Sequence, residues 1–125
     1  MRMREAHYPG LAPIEAYGNG GFRFAGMSHR GSLLIAPDGI HGWSVTSPSE
    51  INVGSLVRIL EAEARPELLL LGTGADIVAV PRDLRAALSS KGIRLEVMAT
   101  GAAVRTYNVL LAEKRSVGAA LIAVA

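Results

Sequence analysis

Leu68-Leu69-Leu70-Leu71-Gly72-Thr73-Gly74 decides the fold class. An unbroken apolar run of this length marks a strand buried on both faces, since a half-exposed strand would alternate with polar residues. The glycines that follow at once allow a tight turn. Downstream, Pro81 opens a helix with Leu84 and Leu88 on its inner face and Gly92 as its C-terminal left-handed residue. Residues 93–98 read as the next strand. Thr100-Gly101 opens a further helix, on which Ala103, Tyr107, Leu110 and Leu111 share one stripe, and residues 117–124 close the chain as a last strand. Strand–helix–strand–helix–strand with short links implies right-handed crossovers and a mostly parallel sheet.

Upstream of this unit the pattern is antiparallel. Residues 14–17 and 22–25 flank Gly18-Asn19-Gly20-Gly21, a turn whose glycines and asparagine accept positive φ. Phe22, Phe24 and Gly26 fall on one face and Arg23 and Ala25 on the other. An apolar strand at 31–35 runs into the turn Pro37-Asp38-Gly39, and a strand at 40–45 carries Trp43. These hairpins either extend the parallel sheet or form a small second layer. A first helix follows, with two competing starts. Ser47 with Pro48 and Glu50 has the form of a capping box; Asn52 is the preferred cap, with Val53, Leu56, Val57, Leu60 and Ala64 at helical spacing up to Arg65-Pro66. The fold class is therefore α/β, with an N-terminal arm over residues 1–13 and a single domain over 14–125.

Composition excludes several functions. At 125 residues the chain fits one domain, and half of it is hydrophobic, which rules against disorder. It has no cysteine, so disulfides, thiolate metal sites and cysteine nucleophiles are out. Thirteen basic residues against eleven acidic leave a net charge of +2, and the longest basic run is Lys114-Arg115. That is no nucleic-acid footprint. The longest apolar runs, 68–71 and 119–125, fall well short of the roughly 20 residues a membrane helix needs. With no signal-peptide pattern at the N-terminus, the expectation is a cytoplasmic protein without a membrane span.

No catalytic constellation is readable. His7, His29 and His41 lie in different segments without metal-ligand spacing, so no metal site is expected. Ser28, His29 and Asp38 make no triad by closeness in sequence. One candidate ligand crevice remains, because open α/β sheets gather ligands at the carboxyl ends of parallel strands. Its residues are Gly72, Thr73 and Gly74 after the first parallel strand and Thr100 and Gly101 after the second, with Arg105 and Asn108 in the following turns. The competing expectation is structural: the glycines serve a turn, Thr100 caps its helix, and Arg105 and Asn108 lock the helix to the sheet. The segment is neither a dinucleotide fingerprint nor a phosphate loop, since no third glycine follows at the required spacing and no Gly-Lys-Ser or Gly-Lys-Thr occurs. No cofactor is expected.

Taken together, several pieces resemble one family. They are Ile14-Glu15-Ala16-Tyr17-Gly18, Gly21-Phe22-Arg23-Phe24, Gly31-Ser32-Leu33-Leu34-Ile35, Trp43, Pro66 through Gly74, Thr100, Arg105-Thr106-Tyr107-Asn108-Val109-Leu110 and Ala119-Ala120-Leu121-Ile122. The combination is similar to the family of mitochondrial complex I assembly factor 3 and its bacterial and archaeal relatives, over about residues 14–124. That resemblance implies a three-layer α/β fold with a central mixed sheet and no established enzymatic activity. It also implies protein partners, either membrane-complex subunits or other assembly factors. Without an evident mitochondrial presequence, the chain reads as a bacterial relative, cytoplasmic or peripheral to the inner membrane. The resulting expectation is a non-enzymatic interaction protein that assists assembly of a respiratory NADH dehydrogenase or another membrane complex. The alternative is a binder of a small anionic or nucleotide-like ligand, or an enzyme, using the crevice. Oligomeric state stays open.

Overall fold

The fold is that of a computed structural model, which describes residues 7–125. In chain order the strands are β1 (His7–Tyr8), β2 (Ile14–Gly18), β3 (Gly21–Phe24), β4 (Met27–Arg30), β5 (Ser32–Ala36) and β6 (Gly39–Trp43). After two 3-10 turns come α1 (Val57–Leu60), β7 (Leu68–Gly72), α2 (Arg82–Ser90), β8 (Arg94–Met98), α3 (Thr100–Ala112) and β9 (Val117–Leu121).

Among the described residues β7 pairs in parallel with both β8 and β9, as the apolar run predicts. β9 also pairs antiparallel with β5, which makes the sheet mixed, in the order β1-β6-β5-β9-β7-β8. The first-half strands therefore take both places left open by the sequence. β5 and β6 extend the parallel sheet, and β2-β3-β4 form a separate small one. Within the expected N-terminal arm, residues 1–6 lie outside the described residues, while His7–Tyr8 adds an edge strand to β6.

The sheet is covered on both sides. Leu69 and Leu71 join Leu84, Leu88, Ile59 and Trp43 in one core. Leu70 joins Tyr107, Val104, Phe22 and Phe24 in the other. Strand period two sends neighbouring leucines to opposite faces, so a run with no polar residue is what two cores require. The path from β7 to β8 moves outward and the path from β8 to β9 moves back past β7. With α2 and α3 on opposite faces, both crossovers share one hand.

Two local readings are corrected. The first helix does not run over residues 53–64: Val53–Leu56 is a 3-10 turn and α1 ends at Leu60. Asn52 does cap it, in a reciprocal box with Ser55. The Ser55 carbonyl, however, accepts from Trp43 Nε1 at 2.8 Å and is drawn out of the helical ladder. Glu61 and Glu63 then oppose continuation, since a helix C-terminus disfavours anions. The other start places no cap on Ser47; Glu50 instead accepts from the Thr46 amide at 2.8 Å. Second, Ala25-Gly26 is not strand but a two-residue hairpin turn, with φ of 49° and 72°, leading into β4. Met27–Arg30 lacks apolar alternation, so backbone pairing to β3 alone reveals it.

Candidate functional site

The candidate crevice lies where three elements meet. Gly72 ends β7 so close to α3 that a Cβ there would sit 2.9 Å from Thr100 Cα, which is why no side chain fits. The Thr73 amide donates to the Met98 carbonyl at 2.9 Å and extends the β7–β8 ladder by one bond. The Ile122 amide reaches the Gly72 carbonyl at 3.0 Å, and the Thr100 amide reaches the Gly74 carbonyl at 2.8 Å.

Both threonine hydroxyls are consumed inside this knot. Thr100 Oγ1 donates to the Ile122 carbonyl at 2.7 Å and accepts from the Gly74 amide at 3.0 Å. It is not the helix cap expected from its position: the N-cap residue is Ala99, and the Thr100 hydroxyl, wholly buried, ties the loop after β7 to the chain beyond β9 instead. Thr73 Oγ1 donates to the Asp76 carbonyl at 2.7 Å and accepts from the Val78 amide at 3.0 Å, folding the loop back on itself.

Gly101, Arg105 and Asn108 recur at helical spacing along α3, on the face turned to β2. The Tyr17 ring lies over Gly101, where a Cβ would meet its Cζ at 3.0 Å. Asn108 Nδ2 donates to the Ile14 carbonyl at 2.9 Å, and its Oδ1 accepts from the Ile14 amide at 2.8 Å. The amide group thus pairs with the outer edge of β2 as another strand would. Tyr107, the chain neighbour of Asn108, donates its hydroxyl to the Ala12 carbonyl at 3.0 Å, and burial pushes that hydroxyl's pKa up. Arg105 stands exposed, without a hydrogen bond or ion pair to any described residue. So the structure brings Gly72, Thr73, Gly74 and Thr100 together as one unit and attaches Gly101 and Asn108 to β2, with Arg105 outside both.

Among the described residues no buried side-chain nitrogen or oxygen lacks a partner, and no three His, Asp or Glu side chains cluster as a metal site would need. His29 Nε2 donates to the Ser32 carbonyl at 3.2 Å. His41 Nε2 and Asp38 Oδ1 are hydrogen-bonded at 3.0 Å.

Sequence reasoning passed over a second feature. The loop joining β7 to α2 is apolar at Ile77, Val78, Ala79, Val80 and Pro81, and Ile77 is 65% exposed. With Val97 of β8 and with Arg82 and Arg85, it lines an open groove of about 410 Å³. The signal was there: an apolar stretch with neither strand nor helix period, placed between a finished strand and a helix start. A second, more polar hollow of about 430 Å³ lies on the small sheet beside Tyr17, Asn19, His29 and Arg30. No helix among the described residues is long and apolar enough to cross a membrane.

Comparison with known proteins agrees with this architecture. A crystal structure of a Bartonella henselae chain, described as an outer membrane protein, superposes with a TM-score of 0.90 at 53% identity, covering 95% of this chain and all (100%) of that one. The solution structure of a Bordetella pertussis protein, described as an Mth938-like domain, gives 0.77 at 29% identity over 98% of this chain and 92% of its own. An uncharacterised protein of Rhodobacter capsulatus is 41% identical over 98% of this chain and 93% of its own length. NADH dehydrogenase (ubiquinone) 1 alpha subcomplex assembly factor 3 of Danio rerio is 38% identical over 87% of this chain, which spans only 63% of that protein. The model of a family described as a protein of unknown function, DUF498/DUF598, matches residues 14–122, from the first residue of β2 to the end of the β9 segment that Thr100 anchors, and the chain belongs to that family.

Proposed function

We propose that this chain is a non-enzymatic interaction protein that assists the assembly of a membrane-bound respiratory complex, an NADH dehydrogenase first of all, from the cytoplasmic side of the inner membrane. One observation carries the reading. Apart from the exposed Arg105, the polar side chains expected to hold a ligand, Thr73, Thr100 and Asn108, are spent on internal hydrogen bonds, whereas the apolar loop beside them is left exposed. Fully satisfied polar groups gain little from a ligand, while exposed apolar side chains in a cluster gain from a covering protein surface. Relatedness to a protein named as an NADH dehydrogenase assembly factor supports a protein partner of that kind.

A small-ligand reading has less support. It would have to use Arg105, or the backbone around Gly72 and Gly101, without the threonine hydroxyls. A melting-temperature screen against phosphates, nucleotides and carboxylates at millimolar concentration should give no stabilisation; a clear upward shift that is lost in Arg105→Ala would favour the ligand instead.

The assembly role is tested by capture from native membranes of the source cell with a tagged full-length chain. NADH dehydrogenase subunits or their assembly intermediates are expected above an untagged control. Their absence, under conditions where the chain itself is recovered intact, would refute the proposal.

A further inference from the structure

The edge of β8 beside the apolar loop is an unfinished sheet. Arg94 donates its amide to the Glu67 carbonyl at 2.9 Å, and the Met98 carbonyl accepts from the Thr73 amide at 2.9 Å. Along a parallel strand, the amide and carbonyl of one residue point the same way and those of the next point the other way. Arg94, Glu96 and Met98 therefore face β7, and Leu95 and Val97 turn their backbone groups outward. Arg85 Nη1 covers the Leu95 carbonyl at 2.8 Å. The outward amide and carbonyl of Val97 have no partner among the described residues.

Other edges are closed or differently furnished. Asn108 covers the outer edge of β2 at Ile14. β1 is only two residues long. β4 leaves an edge with one exposed apolar side chain, Met27, but its other residues, Ser28, His29 and Arg30, are polar, and the hollow beside them is also lined by Asn19 and Arg23. At β8 the open edge adjoins a continuous run of exposed apolar residues, Ile77 to Ala79. The groove lining contains two arginines and no acid, and Arg82 has no ion pair with a described residue.

We infer that β8 accepts an added strand from a protein partner. The occupant is an extended segment that hydrogen-bonds to Val97, sets apolar side chains against Val78 and Val97, and brings a carboxylate to Arg82. Strand addition draws affinity from the main chain and specificity from side-chain pockets on alternate residues. The charge of the lining calls for an acidic rather than a basic segment. This inference rests on the interaction-protein reading and names its surface and the chemistry of its partner.

The test is an NMR titration of the isotopically labelled full chain with two capped pentapeptides, EVTVE and KVTVK, at millimolar concentration. The acidic peptide should shift amides around Val97 and residues 77–82 and slow hydrogen exchange at the Val97 amide, and the basic peptide should do neither. Val97→Pro removes an outward N–H, which an edge strand tolerates, and trims the apolar lining of the groove, and should weaken binding roughly tenfold. If that variant does not fold, Arg82→Glu leaves the sheet untouched and should reverse the preference to KVTVK. No shift with EVTVE, equal response to both peptides, shifts centred elsewhere, or unaltered binding by a folded Val97→Pro would each overturn the inference. So would broadening of residues 77–80 by phosphatidylglycerol vesicles without any peptide response, or concentration-dependent Val97 shifts in peptide-free samples, which would mean a lipid surface or a second copy. The two proposals fail separately. Membrane subunits captured equally by wild type and folded Val97→Pro would leave the assembly role standing and remove this surface, and peptide binding without captured subunits would do the reverse.

Discussion

The connection from β7 to α2 begins and ends in opposite ways. At its start, Gly72, Thr73 and Gly74 are buried, and their polar atoms are bonded to Met98, Thr100, Ile122 and the loop itself. A few residues on, Ile77 and Val78 stand in solvent beside an open strand edge. Helix N-terminus and strand ends drew attention to the first region, because in other α/β proteins such places hold ligands. Here that place is filled by the chain's own hydroxyls. The lesson is that a site's polarity means little until its hydrogen bonds are traced, and that unsatisfied apolar surface next to a satisfied knot marks where another molecule can be accommodated.

If the knot is structural, its variants should cost stability, and variants of the loop should not. The largest expected effect is Gly72→Val, whose branched side chain must displace Thr100 and Leu121; a loss of about 3 kcal/mol or more in urea unfolding is expected. Thr100→Val keeps the shape but strands the Gly74 amide and the Ile122 carbonyl, for a loss of roughly 2–3 kcal/mol. Either variant retaining full stability would break the comparison. Asn108→Ala releases the Ile14 edge and should cost roughly 1–2 kcal/mol, with faster hydrogen exchange at the Ile14 amide than at β7 amides. Ile77→Ser should leave stability within about 0.5 kcal/mol, because its side chain is already in water, yet lose captured membrane subunits. A stability loss like that of the knot variants would show that the loop packs as part of the core.

The smallest expected effect is electrostatic and lies away from both regions. The hydrogen bond from His41 holds the Asp38 carboxyl below its ordinary value of 3.8, the charges of His41 and Arg58 add to this, and partial burial opposes it. A lowered folded-state value means stability that is present above the ordinary value and lost as pH falls through the folded one. Asp38→Asn should therefore lower the melting temperature slightly at neutrality, with the difference from the wild type closing as pH falls below about 4. Because the carboxylate is largely exposed, salt should shrink the difference.

Much of this was legible in the residues. Four leucines without a polar interruption require two covered faces, and Phe22-Arg23-Phe24 announces one buried face by alternation. Asn52 was readable as a cap because its spacing to Ser55 is local. Residues 68–98 show parallel pairing because strand, helix and strand follow one another along the chain. β4 was invisible, since a strand held by backbone bonds alone leaves no side-chain pattern. The 3-10 start of the first helix was equally hidden, because Trp43, twelve residues upstream, takes the Ser55 carbonyl.

The same division applies to function. Local order, meaning turns, caps, periodicity and strand burial, follows from neighbouring residues, and the sequence by itself determined the α/β class, the parallel unit and the list of candidate donors. Whether Thr73 and Thr100 were donors to a ligand or to the chain itself was decided only by the tertiary structure, for their partners arrive from β8, the loop and the chain end beyond β9. Likewise, only the folded sheet sets the outward groups of Val97 beside Ile77 and Arg82. Hydrogen-bond partners and exposed edges are properties of what comes together across the fold, and no window of adjacent residues contains them.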